Sequence, residues 1–226
     1  QMTLKTNCDD EGIEKTFQVI KDGGIIIFPT DTVYGMGCNP YNANAVKKIY
    51  EIKSREKAKS LPVLAYSLDI VKEIARVDTF TEKIMKKYWP GPLTLILELT
   101  DKKLKKSLKL DNKIAVRIPD SKHTLKLLKK CGLLVGTSAN ISGNPSSTDP
   151  KECLKNIINY NVFLNGGTIT SKGESTIIEI KNEAPENILF ESNLLCKKSR
   201  EILGFFVIIT LKLFNYNFLN RLIYFI

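Results

Sequence analysis

Residues 25–37 read IIIFPTDTVYGMG, in which four apolar residues are followed at once by a proline and a polar segment. Three β-branched residues and a phenylalanine in a row favour a buried strand, and Pro29 ends it because proline cannot donate a ladder hydrogen bond. We therefore predict a strand over Ile25–Phe28 and a loop over Thr30–Gly37. Binding sites in open α/β sheets usually lie at the carboxyl ends of the strands, where this loop begins.

Helix and strand patterns alternate along the rest of the chain. Apolar periodicity predicts helices over residues 44–52, 70–75, 81–89, 121–131 and 149–160, and strands over residues 61–66, 93–99, 114–118, 133–135, 162–164 and 176–180. This alternation indicates one mixed α/β (α+β) domain, which we place at residues 5–200. Residues 201–226 form an apolar tail. Lys212 and three asparagines in the tail argue against a membrane span, so we expect an extra packing or oligomer-contact helix there.

The composition points to a folded protein with an anionic partner. Hydrophobic residues make up 43% of the 226 residues, which excludes a largely disordered chain, and 34 Lys and Arg against 24 Asp and Glu leave a net charge of +10. Nucleotide phosphate or RNA fits such a charge. Most of the excess is lysine, so the five arginines are the more informative cations.

The sequence lacks the residues that several common catalytic and metal-binding sites require. Five widely spaced cysteines form no C-x-x-C pair and His123 is the single histidine, so neither a zinc site nor a disulfide scaffold is expected, and a reducing cytoplasm is the predicted location. Residues 1–10 do not resemble a signal peptide. The chain contains no Walker A motif and no G-x-S-x-G elbow, which argues against a P-loop ATPase and a serine hydrolase.

Two groups of cations are candidates for anion binding. Lys53, Arg55 and Lys59 follow a predicted helix and could neutralise a triphosphate, although lysines commonly end helices and face water. Arg117 interrupts an apolar strand, and a buried guanidinium must meet a carboxylate or a phosphate. For Arg117 the alternative to a ligand is an ion pair within the protein.

Two tracts, residues 138–148 and 173–176, are rich in hydroxyl and amide side chains and lie next to predicted strands. Each tract alone is explained by ordinary turn chemistry. Together with the cations they form a set of polar loops at strand ends.

These segments together resemble the YrdC-like threonylcarbamoyl-adenylate synthases of the TsaC type. Six motifs carry the resemblance, in family order within residues 12–180: PTDTVYG at 29–35, K-x-R at 53–55, WPGPLT at 89–94, VRIP at 116–119, SAN-x-SG at 138–143 and EST at 174–176. The resemblance implies a twisted, open α/β domain with a deep basic cavity. It also implies synthesis of threonylcarbamoyl-AMP and pyrophosphate from threonine, bicarbonate and ATP, for tRNA threonylcarbamoyladenosine modification.

The resemblance also assigns residues. It places threonine against Thr32, Leu64, Arg117, Ser138 and Ser175, and ATP against Lys53, Arg55, Lys59, Lys113, Asn140 and Thr148. No covalent nucleophile is implied: Lys53 and Arg55 would act electrostatically, by stabilising charge on the phosphates. Mg²⁺ is expected to accompany ATP. tRNA and further tRNA-modification proteins are possible partners.

One family feature is missing. The family usually carries an arginine in an L-R-x-G segment after the last of these motifs, and this chain has Phe190 at the aligned position. Arg200 could replace that cation.

Two other functions stay open at this stage. The first is a non-catalytic RNA-binding module of the same fold, binding tRNA or double-stranded RNA, which the positive charge would favour. The second is a carbamoyl-transfer domain like those of hydrogenase-maturation proteins, for whose additional domains the chain is too short.

Overall fold

The computed structural model describes residues 3–56, 58–171, 173–181 and 208–211. In chain order its elements are β1 (Leu4–Asn7), α1 (Asp10–Lys21), β2 (Ile26–Pro29), β3 (Tyr34–Gly37), α2 (Ala43–Ile52), β4 (Val63–Ala65), α3 (Leu68–Ile74), α4 (Thr79–Tyr88), β5 (Leu93–Glu98), α5 (Lys102–Leu108), β6 (Lys113–Arg117), α6 (Lys122–Cys131), β7 (Leu133–Val135), β8 (Thr137–Ser138), α7 (Pro150–Asn156), β9 (Val162–Asn165), β10 (Thr176–Lys181) and β11 (Ile208–Leu211). The predicted mixed α/β class is confirmed.

The strands are divided between two sheets. One has the order β1-β9-β2-β3-β8 and the other the order β11-β10-β5-β6-β4-β7. The chain passes from the second sheet to the first at Gly136, between β7 and β8. A Cβ atom on Gly136 would lie 2.4 Å from Cγ of Leu64, so glycine is needed for this close passage.

The predicted first strand is buried on both faces, which explains its uninterrupted apolar sequence. Ile27 belongs to the larger hydrophobic core, with Val63 and Leu95 of the other sheet. Ile26 and Phe28 point the opposite way, into a smaller core beneath α1 and α6. Because successive residues of a strand face opposite sides, both faces must be apolar here. Full burial of each such side chain contributes roughly 1.5–3 kcal/mol to stability.

Helix caps follow the local sequence. Asp149 accepts a hydrogen bond from the Glu152 amide at 3.1 Å and Pro150 occupies the first turn of α7, as predicted. Ser121 caps α6, also as predicted, with its hydroxyl 3.4 Å from the Thr124 amide. These caps fix where the helices begin relative to the polar loops.

Several local expectations differ from the structure. Residues 34–37 form β3 instead of a loop, because they pair antiparallel with β2 from Ile26 to Pro29. Helix α7 ends at Asn156 instead of near residue 160, and β1, α1, α5 and β8 were not predicted. Residues 208–211 of the tail form β11, antiparallel to β10, so the expected helix is wrong at these positions.

The other tail residues, together with Phe190 and Arg200, lie outside the described residues. The domain boundary at residue 200 stays a prediction. Of the helices in the described part of the chain, none is both long and apolar enough to cross a membrane.

Candidate active site

Residues of both sheets line a cavity of about 740 Å³. Its walls contain nine of the predicted site residues: Thr32, Lys53, Arg55, Lys59, Leu64, Arg117, Ser138, Asn140 and Ser175. These residues come from six separate segments of the chain. The fold therefore brings most of the predicted site residues into one place.

Arg117 is the last residue of β6, lines the cavity and is 5% exposed, and we call this part of the wall the Arg117 end. Its Nε donates to the Gly91 carbonyl at 2.9 Å, and Nη1 donates to Oγ1 of Thr32 at 3.0 Å. Nη2 forms an ion pair with the carboxylate of Asp31. Burial lowers the pKa of Arg117, while Asp31 favours the charged form. Arg117 thus has an internal ion pair and also faces the cavity, so the two explanations considered for it are compatible.

The loop that carries Thr32 is ordered by Thr30. The Thr30 hydroxyl donates to the Val33 carbonyl at 2.7 Å and accepts from the Thr32 amide at 3.1 Å. It also lies 3.0 Å from Oγ1 of Thr32. Sequence reasoning named neither Thr30 nor Asp31, although both stand in the PTDT segment. Their roles are visible once Arg117, distant in sequence, packs against this loop.

Ser175 is oriented by a residue that the sequence analysis also missed. It immediately precedes β10, and its hydroxyl lies 2.9 Å from Oγ1 of Thr94, on the neighbouring strand β5. β10 and β5 are parallel, with Thr176 opposite Leu93. Thr94 is 2% exposed, so its hydroxyl sits in a fixed, dry position beside Ser175. Its place in the WPGPLT motif was the available signal.

Arg55 and Lys59 also line the cavity, and we call this second group of cations the Arg55 end. Arg55 is half-buried and donates from Nε to the Lys59 carbonyl and from Nη2 to the Ser60 carbonyl, both at 3.0 Å. Burial lowers the pKa of Arg55. The Lys59 side chain is exposed, and its Nζ lies 3.3 Å from Oε2 of Glu56. Arg55 therefore organises the loop that presents Lys59 to the cavity.

Lys53 lines the same cavity and is 1% exposed. Its ammonium donates to the Asn140 carbonyl at 2.7 Å, to Oδ1 of Asn140 at 2.9 Å and to the Ser138 carbonyl. Burial, reinforced by the charge of Arg55, lowers the pKa of Lys53 to about 8. The reading of this lysine as a helix end facing water is wrong. Three protein oxygens thus surround the ammonium, and the assignment of Lys53 to phosphate and to catalysis stays a prediction.

Two predicted ATP contacts do not line the cavity. Lys113 begins β6, about 13 Å along the strand from Arg117 at roughly 3.3 Å per residue, and its exposed ammonium pairs with Glu179. Thr148 is half-buried, and its carbonyl accepts a hydrogen bond from the Ile169 amide at 2.9 Å. The structure gives both residues protein contacts instead of a place in the cavity wall.

One further carboxylate, that of Glu174, lines the cavity. Within the described part of the chain, no group of three or more His, Cys, Asp or Glu side chains could hold a metal ion. The site is therefore rich in hydroxyls and cations, and what it offers chemically is the binding of anions.

Comparison with known proteins matches most of the chain to a family model. Residues 18–189 match the Sua5/YciO/YrdC family model, described as telomere recombination. The threonylcarbamoyl-AMP synthase of Bacillus subtilis is 32% identical over 190 residues, covering 81% of this chain and 54% of that protein. The threonylcarbamoyl-AMP synthase of Pyrococcus abyssi is 32% identical over 191 residues, covering 82% of this chain and 55% of that protein. The chain thus spans about half the length of these two curated relatives.

Solved structures agree with the sequence matches. The P. abyssi Sua5 structure complexed with L-threonine superposes with a TM-score of 0.75 at 30% identity, covering 90% of this chain and 61% of that one. E. coli YciO superposes with a TM-score of 0.72 at 23% identity, covering 81% of this chain and 92% of that one, which supports the fold alone.

Proposed function

The chain belongs to the Sua5/YciO/YrdC family, and from that premise we propose that it is an L-threonylcarbamoyladenylate synthase. It would be a nucleotidyltransferase that makes threonylcarbamoyl-AMP and pyrophosphate from threonine, bicarbonate and ATP, for tRNA modification. The observation that carries the proposal is the arrangement of the cavity, in which the buried guanidinium of Arg117 and the cations Arg55 and Lys59 share one space.

The Arg117 end suits a small hydroxy amino acid. A carboxylate bound to a buried guanidinium gains about 1.5–3 kcal/mol for each charge-assisted hydrogen bond. Thr32, Ser138 and Ser175 add hydroxyl groups to the same walls. The relative from P. abyssi was crystallised with L-threonine. We assign threonine to this end of the cavity.

The Arg55 end suits a triphosphate. Arg55 and Lys59 bring two positive charges to the wall, and Asn140 adds an amide. A cavity of about 740 Å³ also falls within the usual range of roughly 300–1,000 Å³ for small-molecule sites. Magnesium enters the proposal as part of the substrate, bound to the phosphates of ATP. No described cluster of protein ligands is needed for it.

The main role of the protein in this reaction is to position the reacting groups. The threonine amine and bicarbonate combine to a carbamate with loss of water, a carbamate oxygen attacks the α-phosphorus, and the bond to pyrophosphate breaks. Two anions must be held in line despite their repulsion, and negative charge shifts onto the leaving pyrophosphate. Cations and hydroxyls in the wall of one cavity provide both functions, and no protein nucleophile takes part.

Pyrophosphate release tests the proposal. With ATP and bicarbonate present, the full chain should release pyrophosphate when threonine is added, more slowly with serine, and at background rate without an amino acid. Release that does not depend on threonine would contradict the assignment. Steep, salt-sensitive binding of tRNA without any pyrophosphate release would favour the RNA-binding module instead.

We further propose that the enzyme acts in the cytoplasm. Its product would be passed to tRNA, with or without further modification proteins. The support for this location is the pattern of cysteines. Four of them, Cys8, Cys38, Cys131 and Cys153, have free thiols in the described structure.

A further inference from the structure

We propose that Lys53 is a positioning residue, which fixes the loop of residues 138–142 through its ammonium and main chain and does not bind phosphate itself. The loop carries Ser138, assigned to threonine, and Asn140, assigned to ATP. The effect on ligands rests on the proposed function, whereas the effect on the loop does not.

Lys53 contacts this loop from two sides. It caps the carboxyl end of α2, where its amide donates to the Ile49 carbonyl. Its own carbonyl accepts from the Ser142 amide at 2.8 Å. Its ammonium reaches the Ser138 carbonyl and both oxygens of Asn140. A single residue thus ties the end of a helix to a loop 85 residues further along the chain.

The hydrogen-bonding capacity of Lys53 is used up by these contacts. An ammonium has three N–H groups and no acceptor, and here three oxygen acceptors lie around it. A phosphate oxygen could bind Nζ only by replacing one of them. Lys59, which presents an exposed ammonium to the same cavity, is less restricted, because the protein oxygen described beside it is that of Glu56, at 3.3 Å.

The contacts of Lys53 also orient the side chains that are assigned to the two substrates. Oδ1 of Asn140 accepts from Lys53 and at the same time from the Ser138 hydroxyl, at 2.7 Å. The side-chain nitrogen Nδ2 of Asn140 donates to the Asn144 carbonyl. Without the ammonium, oxygens of Ser138 and Asn140 would lose a buried donor, and their positions would no longer be set together.

The two possible roles of Lys53 predict different patterns of substrate loss. If its ammonium bound phosphate, its removal would weaken ATP binding and leave threonine binding intact. If its ammonium positions the loop, its removal weakens the binding of both substrates, because Ser138 and Asn140 move together. The response of threonine affinity therefore distinguishes the roles.

Calorimetry on the full chain makes this comparison, with Lys53→Met as the variant and Arg55→Met as the matched control. Methionine keeps an unbranched side chain of similar length but has no N–H group. We expect Lys53→Met to raise the Kd of threonine at least tenfold and to raise that of ATP as well, while Arg55→Met raises the Kd of ATP alone. Wild-type threonine affinity in Lys53→Met would overturn the proposal.

Hydrogen exchange without ligands tests the loop directly. Amides of residues 138–144 should exchange at least tenfold faster in Lys53→Met than in the wild type, and should keep their wild-type rate in Arg55→Met. Unchanged exchange in Lys53→Met would overturn the proposal. If the wild type binds neither substrate, the proposed function fails, but this measurement still decides the role of Lys53.

A milder variant covers the case in which Lys53→Met does not fold. Lys53→Gln retains N–H donors on a shorter side chain, so exchange in residues 138–144 should accelerate less than it would without any donor, but measurably. Wild-type exchange and wild-type threonine affinity in this folded variant would count against loop positioning.

Discussion

The two charged ends of the cavity are built differently. At one end, Arg117 is 5% exposed and held by Asp31, Thr32 and Gly91. At the other end, Arg55 is half-buried and binds two carbonyls of its own loop, and Lys59 is exposed. The first end has its geometry set before any ligand arrives, whereas at the second end the exposed Lys59 side chain can adjust around one.

This difference matches the chemistry of the two proposed substrates. A small amino acid offers few groups, so discrimination needs partners that are fixed and desolvated. A triphosphate carries several negative charges, and exposed cations attract it without a unique geometry. We therefore expect threonine binding to depend on single contacts and ATP binding to depend on summed charge.

The largest effect should come from Arg117→Ala. Loss of two charge-assisted hydrogen bonds, at about 1.5–3 kcal/mol each, should raise the Kd of threonine at least 100-fold. The Kd of ATP should change less than threefold. Calorimetry with each substrate checks this prediction. An equal loss of affinity for threonine and for ATP would contradict the proposed difference between the two ends.

Two further variants control that experiment. Arg76→Ala removes an exposed arginine that pairs with Glu98 on the surface, and should leave both affinities unchanged. Arg117→Ala also leaves the partly buried carboxylate of Asp31 unpaired, so its stability should fall. Arg117→Lys retains the charge and should recover part of the threonine affinity.

The next largest effect should be that of salt. Raising NaCl from 50 to 500 mM shortens the screening length from more than about 10 Å to less than about 8 Å. We expect the Kd of Mg·ATP to rise about tenfold and that of threonine to rise less than threefold, measured by calorimetry at constant Mg²⁺. In Arg55→Met the salt dependence of ATP binding should be smaller. Equal salt dependence for both substrates would contradict the difference in exposure.

A smaller effect should follow Thr94→Val, which removes the hydroxyl that orients Ser175 and preserves the shape of the side chain. A neutral hydrogen bond contributes about 1 kcal/mol, so the Kd of threonine should rise about fivefold with ATP binding unchanged. Thr94→Ser keeps the hydroxyl and should bind threonine like the wild type. If the serine variant loses as much affinity as the valine variant, Thr94 acts through packing alone.

The smallest effect should come from Lys59→Met. An exposed charge contributes little on its own, so the Kd of ATP should rise only about two- to threefold. Threonine binding should not change. A loss of 100-fold or more in ATP affinity would show that Lys59 is a fixed ligand, and that the second end is as ordered as the first.

Local patterns were sufficient for much of the fold. The run at Ile25–Phe28 with Pro29 after it predicted the central strand, and Asp149-Pro150 predicted the start of α7. The neighbouring strand β3 was missed because its two glycines disfavour a strand. In the structure they are required: a Cβ on Gly35 would lie 2.9 Å from the Phe28 ring, and one on Gly37 would lie 2.1 Å from the Val135 carbonyl.

For the candidate site, too, the sequence predicted some features, and others became visible only in the structure. The motifs predicted which loops would converge, and nine of the eleven assigned residues line the cavity. They did not show that Lys53 is buried, that Asp31 pairs with Arg117, or that Thr94 orients Ser175. Each of these facts is a contact between segments that lie far apart in the chain.

By itself, the amino-acid sequence determined the mixed α/β class, the family and the set of polar loops, because strand periodicity, caps and motifs are local properties. Only the tertiary structure decided the partner of each charged group. Asp31 and Arg117 are 86 residues apart, and Lys53 and Asn140 are 87 residues apart. Whether a cation meets water, a ligand or a protein oxygen depends on which distant segments pack around it, and residue spacing along the chain does not encode that packing.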